Sequence, residues 1–278
     1  MSLAETIREI PFSPRERRVA DLLLSEPSAI AFGTVASVAA TAGVGNSTVM
    51  RFATTAGFAG FSELQTAVRT EVGGQLRQAT HRVRQPRSGD PVDGALDTEL
   101  ANLHTTFAQL DRDALGRAAD HLARAAHVAV LAGDAARGVA QDFAAQLGML
   151  RPDVTLVDVG SIALGRALTW LEPVDVLVVI DTARYETTIT TAAEHAAARG
   201  IPVLAVSDSH VSPIGSTGRW SFQIVDSGAG PFDSFVAALA LTNLLATLVT
   251  ARLGRAAVRH IDRLDAAWDA TEVLRRDR

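Results

Sequence analysis

Three short, almost wholly apolar runs constrain this chain more than any other feature: HVAVLAG (127–133), DVLVVID (175–181) and PVLAVSD (202–208). Each suits a strand buried on both faces, and each is too short for a core helix. VTLVDVG (154–160) and WSFQIV (220–225) complete the set. Between them lie stretches of helical periodicity at 135–150, 163–171 and 187–200, the last ended by Gly200. Two further helical stretches, 95–110 and 113–125, precede the first strand; a long one near 233–252 and a polar helical tail to about 275 follow the last. Strands alternating with helices form a parallel sheet covered on both faces. The expectation is an α/β domain, an α-β-α sandwich around a parallel sheet, over residues 95–278.

The first 77 residues read differently. Ser13, Pro14 and Glu16 make an S-x-x-E capping box at the start of a helix over 13–26, which Pro27 stops. The run TVASVAATAGVGNSTVMRFATTAGFAGFSEL (34–64) then predicts helix, tight turn, helix. Thr34 caps the first helix, to about Thr41, and Gly43 supplies the left-handed residue that ends it. Gly45 or Asn46 opens the second, which runs to about Ala56 with Val49, Phe52 and Ala53 inward. Gly57 ends it, Phe58 and Phe61 pack beneath, and a further helix from near Ser62 ends at Gly73-Gly74. This gives an all-α helix-turn-helix domain over 1–77. Asn46, Ser47, Thr48 and Arg51 fall near the front of the second helix and are expected to point outward. Short hydroxyl and amide groups bond phosphates, and arginine pairs with guanine edges, so these four are the candidate DNA contacts.

Charge agrees with that division. Residues 1–87 hold ten Arg and seven acidic residues, +3; the rest hold sixteen Arg and twenty-four acidic residues, −8. A mildly basic front on an acidic body fits a nucleic-acid-binding module joined to something else. Between the two, residues 78–94 carry Arg82, Arg84 and Arg87 among Pro86, Ser88 and Pro91, and are expected to be a linker. The chain has no cysteine, which excludes disulfides, thiolate metal sites and a Cys nucleophile. The seven histidines form no metal-ligand spacing, and neither a P-loop nor a G-x-S-x-G elbow is present. No cofactor is implied. The first residues lack the apolar stretch of a signal peptide, and Phe235–Leu248 is short for a bilayer span, so a cytoplasmic protein with no membrane partner is expected.

Ligands of parallel sheets bind outside the carboxyl ends of the strands. The polar residues there are Gly133 and Asp134 after the first strand, Asp181, Thr182, Arg184 and Tyr185 after the third, and Ser207 and Asp208 after the fourth. Ser234 opens the long helix. Arg137 and Arg184 can clamp a phosphate or carboxylate. These ten residues are the candidate sites for a small anionic metabolite. Strand-to-helix turns account equally well for Gly133, and helix capping for Asp208 and Ser234.

The run 34–64 resembles the N-terminal domain of the RpiR/MurR family of bacterial regulators. The likeness rests on Ala39, Gly43, Val44, Thr48, Val49, Arg51, Phe52, Gly57, Phe58, Gly60, Phe61 and Leu64, with Gly45 where the family usually has Ser. The later segment resembles the sugar isomerase (SIS) domain of the same family, in SDSHVSPIG (207–215) and FDSFVAALALTNLL (232–245). The resemblance implies a transcriptional regulator that binds double-stranded DNA, senses a small anion such as a phosphosugar, and forms a homodimer or higher homo-oligomer. The ligand motifs depart from it. Arg137 stands where many members have Ser, and Asp181-Thr182-Ala183-Arg184-Tyr185-Glu186 where many have S-x-S-G-x-T. Those departures leave open a different anionic effector, or a SIS-like domain that only dimerises the reading heads. The fold also hosts aldose–ketose isomerases, for which His210 and Glu186 are the residues to change.

Overall fold

The computed structural model describes residues 7, 10–25, 27–73, 90–183, 185–210 and 212–272. The N-terminal part is helical: α1 (Pro14–Ser25), α2 (Pro27–Phe32), α3 (Val35–Thr41), α4 (Asn46–Thr55) and α5 (Phe61–Gly73). The Ser13–Glu16 box forms, with the Ser13 amide donating to Glu16 Oε2 at 3.1 Å and the Glu16 amide to Ser13 Oγ at 3.4 Å. Pro27 ends α1 and also opens α2, a short helix not expected from the sequence; proline is suited to a first helical position because its missing N–H has no partner there anyway. Thr34 and Ser37 cap α3 reciprocally. Gly43 has φ +64° and Gly57 φ +91°, the left-handed turns that end α3 and α4. Val19, Val38, Val49, Phe52, Leu64 and Val68 form a core of their own.

Helix α6 (Pro91–Ala108) starts at Pro91, four residues inside the expected linker, because Asp90 accepts the Val92 amide at 2.7 Å. Residues 78–89 of that linker, and Gly74, lie outside the described residues. Then follow α7 (Arg112–Arg124), β1 (Val128–Ala132), α8 (Arg137–Leu150), β2 (Val154–Leu156), α9 (Ser161–Trp170), β3 (Val176–Ile180), α10 (Thr187–Ala198), β4 (Val203–Ser207), α11 (Pro213–Thr217), β5 (Trp220–Gln223), α12 (Val236–Leu253) and α13 (Arg255–Thr271). The sheet is parallel throughout, in the order β2-β1-β3-β4-β5.

Alternation of side chains divides the sheet into two cores. Val128, Val130, Val176, Val178, Leu204 and Val206 face α7, α8 and α12. Ala129, Leu131, Leu177, Val179, Val203 and Ala205 face α9, α10 and α11. Helix α12 is apolar and long enough to cross a membrane by composition, but Leu241, Leu245 and Val249 are fully buried against α6, α7 and α8. Arg151 locks the bottom of the domain. It is buried, and its guanidinium donates to the carbonyls of Leu122 (2.5 Å), Ala125 (2.5 Å) and Ala126 (3.1 Å) at the end of α7. A cation among the last carbonyls of a helix satisfies acceptors that the helix cannot.

Candidate functional site

Helix α4 presents Asn46, Ser47, Met50 and Arg51 to solvent. Thr48 corrects the expectation that it points outward: it is 3% exposed. It lies one turn before Phe52 and shares the inward face with Val49, Phe52 and Ala53. Gly45 caps α4 through its backbone alone, its carbonyl accepting the Thr48 amide at 2.8 Å. The carboxylate of Glu16, on α1, accepts from the Thr55 hydroxyl at 2.9 Å. The Ser13 hydroxyl, more than any other neighbour, holds that carboxylate below the usual range; Arg51 contributes to the same shift.

The strand order places β1 and β3 side by side while their crossovers depart to opposite sides, which opens a crevice at their carboxyl ends. Several expected residues meet there. Asp181 is buried; its Oδ1 accepts the Thr182 amide at 3.0 Å and its Oδ2 the Glu186 amide at 2.9 Å. Glu186 Oε1 in turn accepts the Asp134 amide at 2.5 Å. A Cβ on Gly133 would overlap the Asp181 carboxylate, so only glycine lets the two strand ends come this close. The Tyr185 hydroxyl donates to Asp208 Oδ1 at 2.5 Å, and Ser207 donates to the same oxygen at 3.1 Å.

Other expected residues stand apart. Arg137 turns toward the end of β2 and pairs with Asp158 at 3.4 Å, with both side chains largely exposed. Ser234 donates to Glu99 of α6 at 2.8 Å, and its hydroxyl accepts the Val236 amide at 3.3 Å, which makes it a cap held by α6. His210 is exposed and its ring meets Ser221. Arg184 lies outside the described residues. The structure adds Glu186, Asp226 and Asp233 to the group. Asp226 follows β5, so the strand-end rule that selected the others points to it as well; nothing in the sequence shows that Glu186 reaches back to β1.

The site is strongly acidic. Burial above all, then the charges of Glu186 and Asp208, push the Asp181 carboxyl up to about 7 against its backbone hydrogen bonds. Burial, Asp208 and Asp233 push Asp226 up to about 7, although the Thr182 hydroxyl bonds it. Burial and Asp208 raise the Tyr185 phenol, keeping it a donor. Among the described residues no three His, Asp or Glu are arranged to hold a metal ion.

Tyr185 also touches the other half of the molecule. The Phe32 ring, at the end of α2, packs on it edge-on.

The sequence matches the model of the helix-turn-helix domain, rpiR family, over residues 1–75, and that of the SIS domain over 121–248. The chain joins an rpiR-family helix-turn-helix domain to a SIS domain. It is a DNA-binding transcriptional regulator with a helix-turn-helix head and a SIS domain. The sugar isomerase domain of an RpiR transcription factor from Sphaerobacter thermophilus is 28% identical, with a TM-score of 0.60; the match covers 63% of this chain and 98% of that one. NanR of Vibrio vulnificus, in complex with ManNAc-6P, shares the fold at 19% identity and a TM-score of 0.65, over 97% of this RpiR-type chain and 99% of its own. No curated protein matches the sequence.

Proposed function

We propose that the crevice at the ends of β1, β3 and β4 senses a sugar phosphate or a similar small anion, and that the event reaches the DNA-reading helix α4 through Tyr185. The observation that carries this reading is Tyr185 itself. One side of its ring meets Phe32 of the head and its hydroxyl bonds Asp208 in the crevice. A ligand that takes the Asp208 oxygen changes the position of the ring against which the head rests.

Several features support an anion despite the acidic surroundings. Carboxyls titrating near 7 are partly neutral at cellular pH, which lowers the repulsion. The Arg137–Asp158 pair is exposed and long, worth about 1 kcal/mol at most, so Arg137 turns to a ligand at little cost. In NanR the bound molecule is ManNAc-6P. The carboxylates favour a second reading, a ligand that carries an amine beside its anionic group. Asn46, Ser47 and Arg51 are the proposed DNA contacts, with Met50 between them, in a cytoplasmic protein. Isomerase chemistry has less support, since His210 bonds Ser221 rather than a crevice residue.

The proposed homodimer has a surface to use. Val92, Leu96, Leu100 and Phe107 lie at helical spacing on the outer face of α6, with Leu96 57% and Leu100 55% exposed.

The test is thermal unfolding of the full chain with sugar phosphates, amino-sugar phosphates, inorganic phosphate and the unphosphorylated sugars. A ligand present at a hundred times its Kd stabilises the folded state by about 2.7 kcal/mol, a shift of several degrees. A shift with a phosphorylated sugar and none with the parent sugar supports the reading. Equal shifts, or none, contradict it.

A further inference from the structure

The residue that opens α10 is a glutamate, and its side chain does not cap that helix. This is unusual on physical grounds. Short side chains are preferred at the first position because they fold back onto the free amides of their own helix. Glu186 instead crosses the crevice and places Oε1 2.5 Å from the backbone nitrogen of Asp134, at the turn that follows β1.

An amide at the start of a turn into a helix is a natural partner for an anion. Here the partner is part of the chain. Holding it there has a cost, since the Glu186 carboxylate adds to the negative charge around buried Asp181. Asp181 in turn holds the Glu186 backbone by accepting its amide at 2.9 Å. Gly133, next to the bonded amide, leaves room for both carboxylates: a Cβ there would come within 3.2 Å of Glu186 Oε1 and overlap Asp181. The local arrangement therefore favours the carboxylate at this amide over the helix cap it could have made.

We infer that Glu186 is a built-in anion that occupies the Asp134 amide and sets which ligands the crevice accepts. An incoming phosphate or carboxylate reaches that amide only by displacing the Glu186 side chain. Weak anions are excluded, and an effector must bring enough further contacts to pay for the exchange. This deepens, and rests on, the proposal that the crevice senses an anion. Because the side chain makes no cap, its removal leaves the capping of α10 unchanged, so the variants are expected to fold.

Calorimetric titration of inorganic phosphate and of hexosamine 6-phosphate into full-length wild type, Glu186→Ala and Glu186→Gln tests it. The expected result is affinity at least roughly tenfold higher for Glu186→Ala than for wild type, with Glu186→Gln between them, for phosphate above all. The Asp134 amide resonance gives a second readout. It moves on Glu186→Ala, and moves again when phosphate is added. Anions that bind wild type and Glu186→Ala equally, or that bind the variant without moving the Asp134 amide, overturn the role of Glu186 and leave the sensing proposal standing. If no anion binds any of the three proteins, both fall.

Discussion

The rings of Phe32 and Tyr185 meet edge-on, with centroids 4.9 Å apart and planes at 82°. Phe32 ends α2 of the DNA-reading head, and Tyr185 stands at the end of β3 with its hydroxyl on Asp208. Aromatic pairs of this geometry contribute about 0.5–1.5 kcal/mol beyond burial. Coupling carried by this contact is bounded by that value, which corresponds to a change in DNA affinity of roughly two- to tenfold. Phe32→Ala is therefore expected to leave effector binding intact while reducing the effector's influence on DNA affinity. Parallel titrations of effector and of DNA check it; unchanged coupling in the variant would rule this route out.

Arg51 and Thr48 are expected to part company. Arg51→Ala removes an exposed cation from the outer face of α4 and weakens specific DNA binding by about 1–3 kcal/mol, roughly ten- to a hundredfold, with little change in stability. Thr48→Ala alters a buried side chain and lowers stability by about 1 kcal/mol with DNA contacts unchanged. Salt-dependent binding curves and denaturant midpoints separate the two effects.

Polarity placed Thr48 on the outside, whereas its position four residues before Phe52 places it inside; the helical period was the better guide. The strands were legible because apolar runs of this length have few alternatives, and their ends were found within two or three residues except for β2, which stops at Leu156 rather than 160. Pro27 both stops one helix and starts the next. Asp181, Tyr185 and Asp208 come together because strand ends always do in a parallel sheet. Strand order is a long-range property that local pattern does not encode. Arg137 pairs with Asp158 for a related reason, since β2 lies next to β1 and brings Asp158 within its reach.

Stability is expected to fall as pH rises from about 4 to about 7 and to level off above. Asp181 and Asp226 have folded-state values of about 7, well above an ordinary carboxyl. Raised carboxyls favour the folded state while protonated, so their contribution is complete below about pH 4 and is lost as pH rises through 7. Asp181→Asn and Asp226→Asn should each flatten the pH dependence of the melting temperature between about pH 4 and 7. A slope unchanged in both variants would show that these carboxyls are ionised in the fold.

Arg151→Met is expected to destabilise the SIS domain by about 2–4 kcal/mol. The substitution keeps most of the volume but strands the Leu122, Ala125 and Ala126 carbonyls at the end of α7. Chemical denaturation measures this. A loss under about 0.5 kcal/mol would mean that water replaces the guanidinium.

Leu96→Asp with Leu100→Asp is expected to convert the proposed dimer to monomers without unfolding the chain, since both residues are exposed in the single chain. Light scattering of wild type and variant reads the mass directly; an unchanged dimer moves the interface off this face of α6.

The measurement that tests the central claim most directly is the affinity of the full chain for its own upstream DNA, at fixed salt, with and without a sugar phosphate that stabilises it. The account predicts specific binding that Arg51→Ala weakens roughly ten- to a hundredfold and that the ligand shifts by roughly two- to tenfold, with the shift reduced in Phe32→Ala. Specific binding that no stabilising ligand alters, in any protein, would contradict it.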